Sequence, residues 1–194
     1  MGEEIAGKED QERQEIVQNI RDPEVIKLLK ELERRKEEEP LRYYQPMHPQ
    51  LVDAHCSRKP IVYVTGGNQA GKSEWMDTEF VIQLCGWVPD SLKAVYPMEK
   101  LKDRIDARLV VSDFQHGWFD VAEPKFRHLI PRRCLIDQSW DKSWSKEYRR
   151  LKVYNAYHWW ASGDWRCQAK LSTLSVMSCD QEEERHRWAN FDLI

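Results

Sequence analysis

No apolar run in the 194 residues approaches the roughly 18 needed to cross a bilayer, so no segment reads as a membrane-spanning helix. The opening Met1-Gly2-Glu3-Glu4 has neither a basic start nor an apolar stretch behind it, which argues against a secretory signal of the usual kind. Cysteine is sparse and unpatterned. Cys56, Cys85, Cys134, Cys167 and Cys179 are odd in number and include no C-x-x-C, so they are expected as reduced thiols in a cytosolic setting. A zinc site built from Cys167, Cys179 and a histidine lacks the required ligand spacing. Strong charge of one sign is also missing, the net charge being −3. Residues 1–40 hold 13 acidic and 8 basic side chains, which leaves residues 41–194 nearly neutral with 22 basic and 20 acidic. A nearly neutral body argues against an obligate, tightly DNA-wrapping module, though not against transient contact with a phosphate backbone through a local patch.

What is present suits one globular body preceded by a solvated segment: 41% hydrophobic and 32% charged residues. We expect residues 1–40 to form an acidic, partly disordered helical segment and residues 41–194 the domain proper. The first dozen residues show no periodicity, and Ile16, Val17 and Ile20 hint at a short helix. A clearer helix follows Asp22, a good N-cap, with Pro23 at its first position. Val25, Ile26, Leu28, Leu29 and Leu32 fall on one face. That face suits packing on the chain's own domain better than a coiled coil, because fewer than three heptads are present. Nine tryptophans are many, six of them between Trp118 and Trp165, and large aromatics are core or interface material.

One stretch carries a chemical signature. Gly66-Gly67-Asn68-Gln69-Ala70-Gly71-Lys72-Ser73 fits G-x-x-x-x-G-K-[ST], the phosphate-cradling loop. The apolar run Ile61-Val62-Tyr63-Val64-Thr65 before it predicts a buried strand, and Lys72 to Cys85 a helix stopped by Gly86. Glycines at 66 and 71 let the chain turn and bring main-chain amides close to a polyphosphate. The helix end adds its positive dipole, Lys72 a point charge for the phosphates, and Ser73 a hydroxyl for Mg²⁺. Upstream, Tyr43 to Gln50 reads as an irregular stretch held extended by Pro46 and Pro49. Gln50 stands sixteen residues before Gly66, and its amide offers the donor and acceptor that suit the N6/N7 edge of adenine.

Beyond the loop, Lys93-Ala94-Val95-Tyr96 suggests a short strand ended by Pro97, and Arg108-Leu109-Val110-Val111-Ser112 a stronger one. Phe119 to Leu129 suggests a helix stopping near Pro131. Leu151-Lys152-Val153-Tyr154 and Ala169 to Cys179 alternate as strands, with a turn at Gly163-Asp164 between them. Alternating strands and helices after a phosphate loop imply an α/β fold with a parallel sheet flanked by helices. Arg185 and Arg187 suit a solvated face better than a ligand contact.

Pro46-Met47-His48-Pro49-Gln50, a spacer, and Val64-Thr65-Gly66 through Ser73 together resemble the start of the ATPase domain of bacteriophage terminase large subunits, the motors that pump DNA into procapsids. Arg108 to Phe114 and Leu174-Ser175-Val176-Met177-Ser178-Cys179-Asp180-Gln181 resemble later motifs of that family. The resemblance implies a P-loop NTPase fold with an antiparallel hairpin extension, Gln50 on adenine, and ATP with Mg²⁺ as cofactors. Gly66, Gly67, Asn68, Gln69, Ala70, Gly71, Lys72 and Ser73 are then the binding residues, with Lys72 catalytic and Ser73 on the metal. It also implies double-stranded DNA, the small terminase subunit and the portal protein as partners, a homo-oligomeric motor, and the host cytoplasm as location. Two departures matter: Asn68 stands where many members carry a sensor arginine, and Trp188-Ala189-Asn190 replaces F-x-G. The acidic pair that holds Mg²⁺ and polarises the attacking water is expected just beyond Phe191-Asp192-Leu193-Ile194, so weak turnover is expected of these residues alone. Two other readings stand beside this one. The first is a catalytically incomplete remnant that binds nucleotide or another protein. The second is an unrelated phosphate-loop kinase, against which counts the lack of an arginine-rich lid between residues 90 and 170.

Overall fold

Two compact units make up the chain, Met1–Glu38 and Glu39–Ile194. A computed structural model describes residues 22–59, 61–67, 69–157 and 170–179. In the first unit, helix α1 (Pro23–Glu38) starts where Asp22 accepts the Glu24 amide at 2.8 Å. Arg34 and Arg35 reach Glu31, and Arg34 also reaches Glu38, pairs at helical spacing that solvent screens and that therefore add little. No residue of α1 is buried, so its apolar stripe of Ile26, Leu28, Leu29 and Leu32 is exposed.

The described part of the second unit is α/β. Helix α2 (Pro49–Cys56) and helix α3 (Lys72–Cys85) lead into strand β1 (Asp106–Val111). A π-helical stretch, Phe114–Ala122, passes directly into helix α4 (Glu123–Leu129). Helix α5 (Trp140–Ser143) and strands β2 (Trp144–Ser145), β3 (Arg150–Asn155) and β4 (Lys170–Ser178) complete it. The sheet order is β1-β4-β3-β2, with β1 parallel to β4 and the other two pairings antiparallel. The expected parallel sheet is therefore mixed. Parallel pairing needs a long crossover, and the chain between β1 and β4 supplies one.

Alternation sets the core face. Leu151 and Val153 on β3, and Ser172, Leu174 and Val176 on β4, are buried while their neighbours are less so. Against that face lies α3, whose residues from Asp77 to Cys85 are all buried. A helix covered on every side is central to its domain. Aromatic packing extends the core: Trp118 sits 4.8 Å from Trp144 and 5.7 Å from Phe126, and Phe126 lies 6.4 Å from Phe80 of α3, ring centre to ring centre.

Gly86 ends α3 as its sequence predicts, with φ at +62° and the Gly86 and Trp87 amides both returning to the Ile82 carbonyl. The orphan carbonyls of that end are met by a residue seventy positions away. The Asn155 side-chain amide donates to the carbonyls of Gln83, Leu84 and Lys102 at 3.0–3.2 Å, and the Ala156 amide donates to Cys85.

Three local expectations are overturned. Ile61 to Thr65 is not a buried strand: Ile61 is 75% and Tyr63 90% exposed. Strand preference is a fit to a pleated, half-buried surface, and among the described residues no strand lies beside this run. Lys93 to Tyr96 is a run of turns, closed by the Val95 and Tyr96 amides donating back to the Leu92 carbonyl. The helix expected from Phe119 begins earlier, at Phe114, because the Asp113 carboxylate caps it by accepting the His116 amide at 2.6 Å. Pro124, lacking an N–H, sits where the wide π turns tighten into α4. The turn expected at Gly163-Asp164, Arg185, Arg187 and residues 180–194 lie outside the described residues.

Candidate functional site

Gln69 to Gly71 form a turn that leads into the N-terminus of α3. Gln69 and Gly71 both take left-handed backbone angles, φ +63° and +74°, with Ala70 between them. Glycine adopts this geometry freely. Glutamine does so at a cost of about 1 kcal/mol, and strain of this kind gathers at ligand clamps. Gly66 lies near the loop's far side, since a Cβ there would stand 3.5 Å from the Ala70 Cβ.

Lys72 closes the loop. Its ammonium donates to the Gly66 carbonyl at 2.8 Å and to the Gly67 carbonyl at 2.6 Å. A long flexible side chain is thus held across the mouth of the turn, with its charge set beside the helix end. The first bond of that end runs from the Trp75 amide to the Gly71 carbonyl, 2.8 Å. The amides of Lys72, Ser73 and Glu74 consequently have no acceptor within the helix. Three donors and a helix dipole lie together at this helix start, an arrangement that favours an anion, while the Lys72 ammonium is held on the Gly66 and Gly67 carbonyls. Ser73 is exposed on the first turn, where its hydroxyl is open to a cation. Gln69 and Gly67 are exposed, Ala70 is half-buried, and Asn68 lies outside the described residues.

Gln50 is on a helix rather than in an extended loop. Pro49 takes the first position of α2 and Gln50 the next, a place where proline's missing N–H costs nothing. Proline therefore starts a helix here instead of holding the chain extended. The structure brings this helix to the loop. A Cβ added to Gly71 would stand 2.9 Å from the Met47 sulfur and 3.1 Å from Leu51 Cδ1. Gln50, exposed, lies in sequence between those two contacts.

Behind the loop is a buried polar cluster that sequence reasoning missed. Glu79, two turns along α3 from Lys72, receives the His55 Nδ1 at 2.7 Å, the Tyr96 hydroxyl at 2.9 Å, the Lys100 ammonium at 2.8 Å and the Gln83 amide at 3.1 Å. A carboxylate only accepts, so Nδ1 of His55 carries the proton, and the Tyr44 hydroxyl at 3.2 Å faces Nε2. Burial pushes the Glu79 carboxyl up, but the His55 bond and the Lys100 charge outweigh it and hold the group below its ordinary range. Burial, and then the Glu79 charge, push the Tyr96 hydroxyl well up. The signal for this cluster was present in the composition of α3. Asp77, Glu79 and Gln83 interrupt its apolar stretch, and polar groups in a helix buried all round require partners. Asp77 has a weaker arrangement. Burial raises its carboxyl to about 6, with Lys125, 3.1 Å away, offsetting part of the cost.

The donor set suits a polyphosphate. Among the described residues, no three His, Cys, Asp or Glu side chains gather to hold a metal, so a cation at Ser73 would take its other ligands from phosphate oxygens and water. Also among the described residues, no helix is long and apolar enough to cross a membrane. Comparison with known proteins adds nothing to this: no family model, no curated protein and no solved structure matches the chain.

Proposed function

We propose that Gly66 to Ser73 binds the triphosphate of ATP together with Mg²⁺, in the ATP-binding part of a viral DNA-packaging terminase large subunit built on a P-loop NTPase fold. The observation that carries this reading is the clasp of the Lys72 ammonium on the Gly66 and Gly67 carbonyls at the start of α3. It fixes a positive charge where main-chain amides and a helix dipole already favour phosphate oxygens. Bound ATP supplies a phosphoanhydride whose cleavage releases the energy for DNA translocation. The chain's own residues do the holding: Lys72 neutralises phosphate charge, the loop amides orient it, Ser73 offers an oxygen to the cation, and Gln50 faces the base. Double-stranded DNA, a small terminase subunit and a portal protein are the partners this reading entails, in a homo-oligomeric motor in the host cytoplasm.

Isothermal titration with ATP and Mg²⁺ tests it. One lost charge-assisted interaction is worth about 1.5–3 kcal/mol, so Lys72→Ala is expected to weaken binding roughly ten- to a hundredfold. Equal affinity in wild type and variant, or none in either, overturns the reading. A second reading, a nucleotide-binding or protein-interaction module without turnover, draws on the exposed run Ile61, Val62 and Tyr63. ATP binding without any hydrolysis, in a chain extended at its carboxyl end, would favour it.

A further inference from the structure

Two contacts hold α2 against the loop helix, one at each of its ends. At the near end Met47, just before α2, and Leu51, in its first turn, pack around Gly71, whose left-handed backbone leaves no room for a Cβ. At the far end His55, fully buried, donates through Nδ1 to Glu79 at 2.7 Å, and the His55 carbonyl accepts from Lys100 at 2.7 Å. Glu79 lies seven residues after Lys72, on the same face of α3 and about 10 Å along its axis. Gln50 stands within the near attachment, between Met47 and Leu51 in sequence, with its side chain exposed and five residues before His55. A short helix fixed at one point can swing; fixed at two, it holds its side chains in a set direction relative to the loop.

We propose that His55 and Glu79 are positioning residues that hold Gln50 at the angle needed to meet the base of a purine nucleotide whose phosphates occupy the loop. This rests on the nucleotide reading above. Both are buried, and His55 stands at the end of α2 away from Gly71. Their influence is therefore expected first on the helix that carries Gln50. The Tyr44 hydroxyl on Nε2 completes the arrangement by setting the ring plane of His55, with the two rings nearly perpendicular at 81°.

Comparing a ligand that has a base with one that lacks it provides the test. Affinities for Mg·ATP and for Mg·tripolyphosphate are measured by isothermal titration on wild type, His55→Phe and His55→Asn, after thermal unfolding has shown each variant folded. Phe keeps a ring without the donor, whereas Asn returns an N–H to the position of Nδ1. The expected result is about a tenfold loss of ATP affinity in His55→Phe, unchanged tripolyphosphate affinity, and recovery of most of the loss in His55→Asn. Should the Phe variant not fold, Tyr44→Phe removes only the hydroxyl behind the ring and is expected to give a two- to threefold loss confined to ATP. Equal losses for both ligands, or no loss for either, overturn the positioning role while leaving the loop reading intact. Wild type that binds neither ligand overturns the loop reading, and this inference with it.

Discussion

Gly71 and Gly67 are four residues apart in the same loop, yet the structure assigns them opposite tolerance to a methyl group. At Gly71 the backbone sits at φ +74°, where an alanine costs about 1–2 kcal/mol. Its Cβ would also stand 2.9 Å from the Met47 sulfur and 3.1 Å from Leu51 Cδ1. The methionine tip turns aside easily, but Leu51 belongs to α2 and must move with it, which adds up to about 1 kcal/mol. Gly71→Ala is thus expected to lose about 2 kcal/mol. At Gly67 the angle is not left-handed, and no described atom lies within 4 Å of the place a methyl group would take. Gly67→Ala is expected to change stability by no more than about 0.5 kcal/mol, or to gain slightly from a stiffer unfolded chain. Urea unfolding followed by tryptophan fluorescence reads the difference, since all nine tryptophans lie in the second unit. With a slope of about 2 kcal/mol per molar urea, the two midpoints should separate by about 1 M. Midpoints within about 0.2 M of each other would refute the loop conformation on which the site depends.

Two further expectations concern the core behind the site. The Asp77 carboxyl is raised to about 6 by burial, so between pH 6 and about pH 4 the folded state binds more protons than the unfolded one. For this group stability rises as pH falls, and at pH 7 its charge costs on the order of 3 kcal/mol with the Lys125 contact already included. Asp77→Asn should therefore be more stable than wild type at pH 7 by roughly 1–3 kcal/mol, with the gap narrowing at pH 5. A variant less stable than wild type in urea at pH 7 would contradict this. Asn155→Ala leaves the carbonyls of Gln83, Leu84 and Lys102 without their shared donor and should cost about 2–4 kcal/mol in the same assay, whereas a loss under about 1 kcal/mol would show that other donors replace it.

How much of this was legible in the residues depended on how far apart the interacting groups lie. The start of α1 at Asp22 and the stop of α3 at Gly86 follow from groups within five residues of each other, and both were readable along the chain. So was the loop itself, because its glycines, lysine and helix start are contiguous. The alternating runs that became β1, β3 and β4 were visible too, because each buries one face. What could not be read was pairing. Ile61 to Thr65 has the composition of a strand, but a strand exists only beside another, and the order β1-β4-β3-β2 was decided by long-range register. The same holds for the groups around Glu79. His55, Tyr96 and Lys100 are 24, 17 and 21 residues from it, and nothing local announces that they converge. Local chemistry determined where this chain could turn and where its helices could start and stop. The tertiary structure alone decided which helix would be held against the loop before α3, because only packing brings a buried carboxylate and its distant donors to one point.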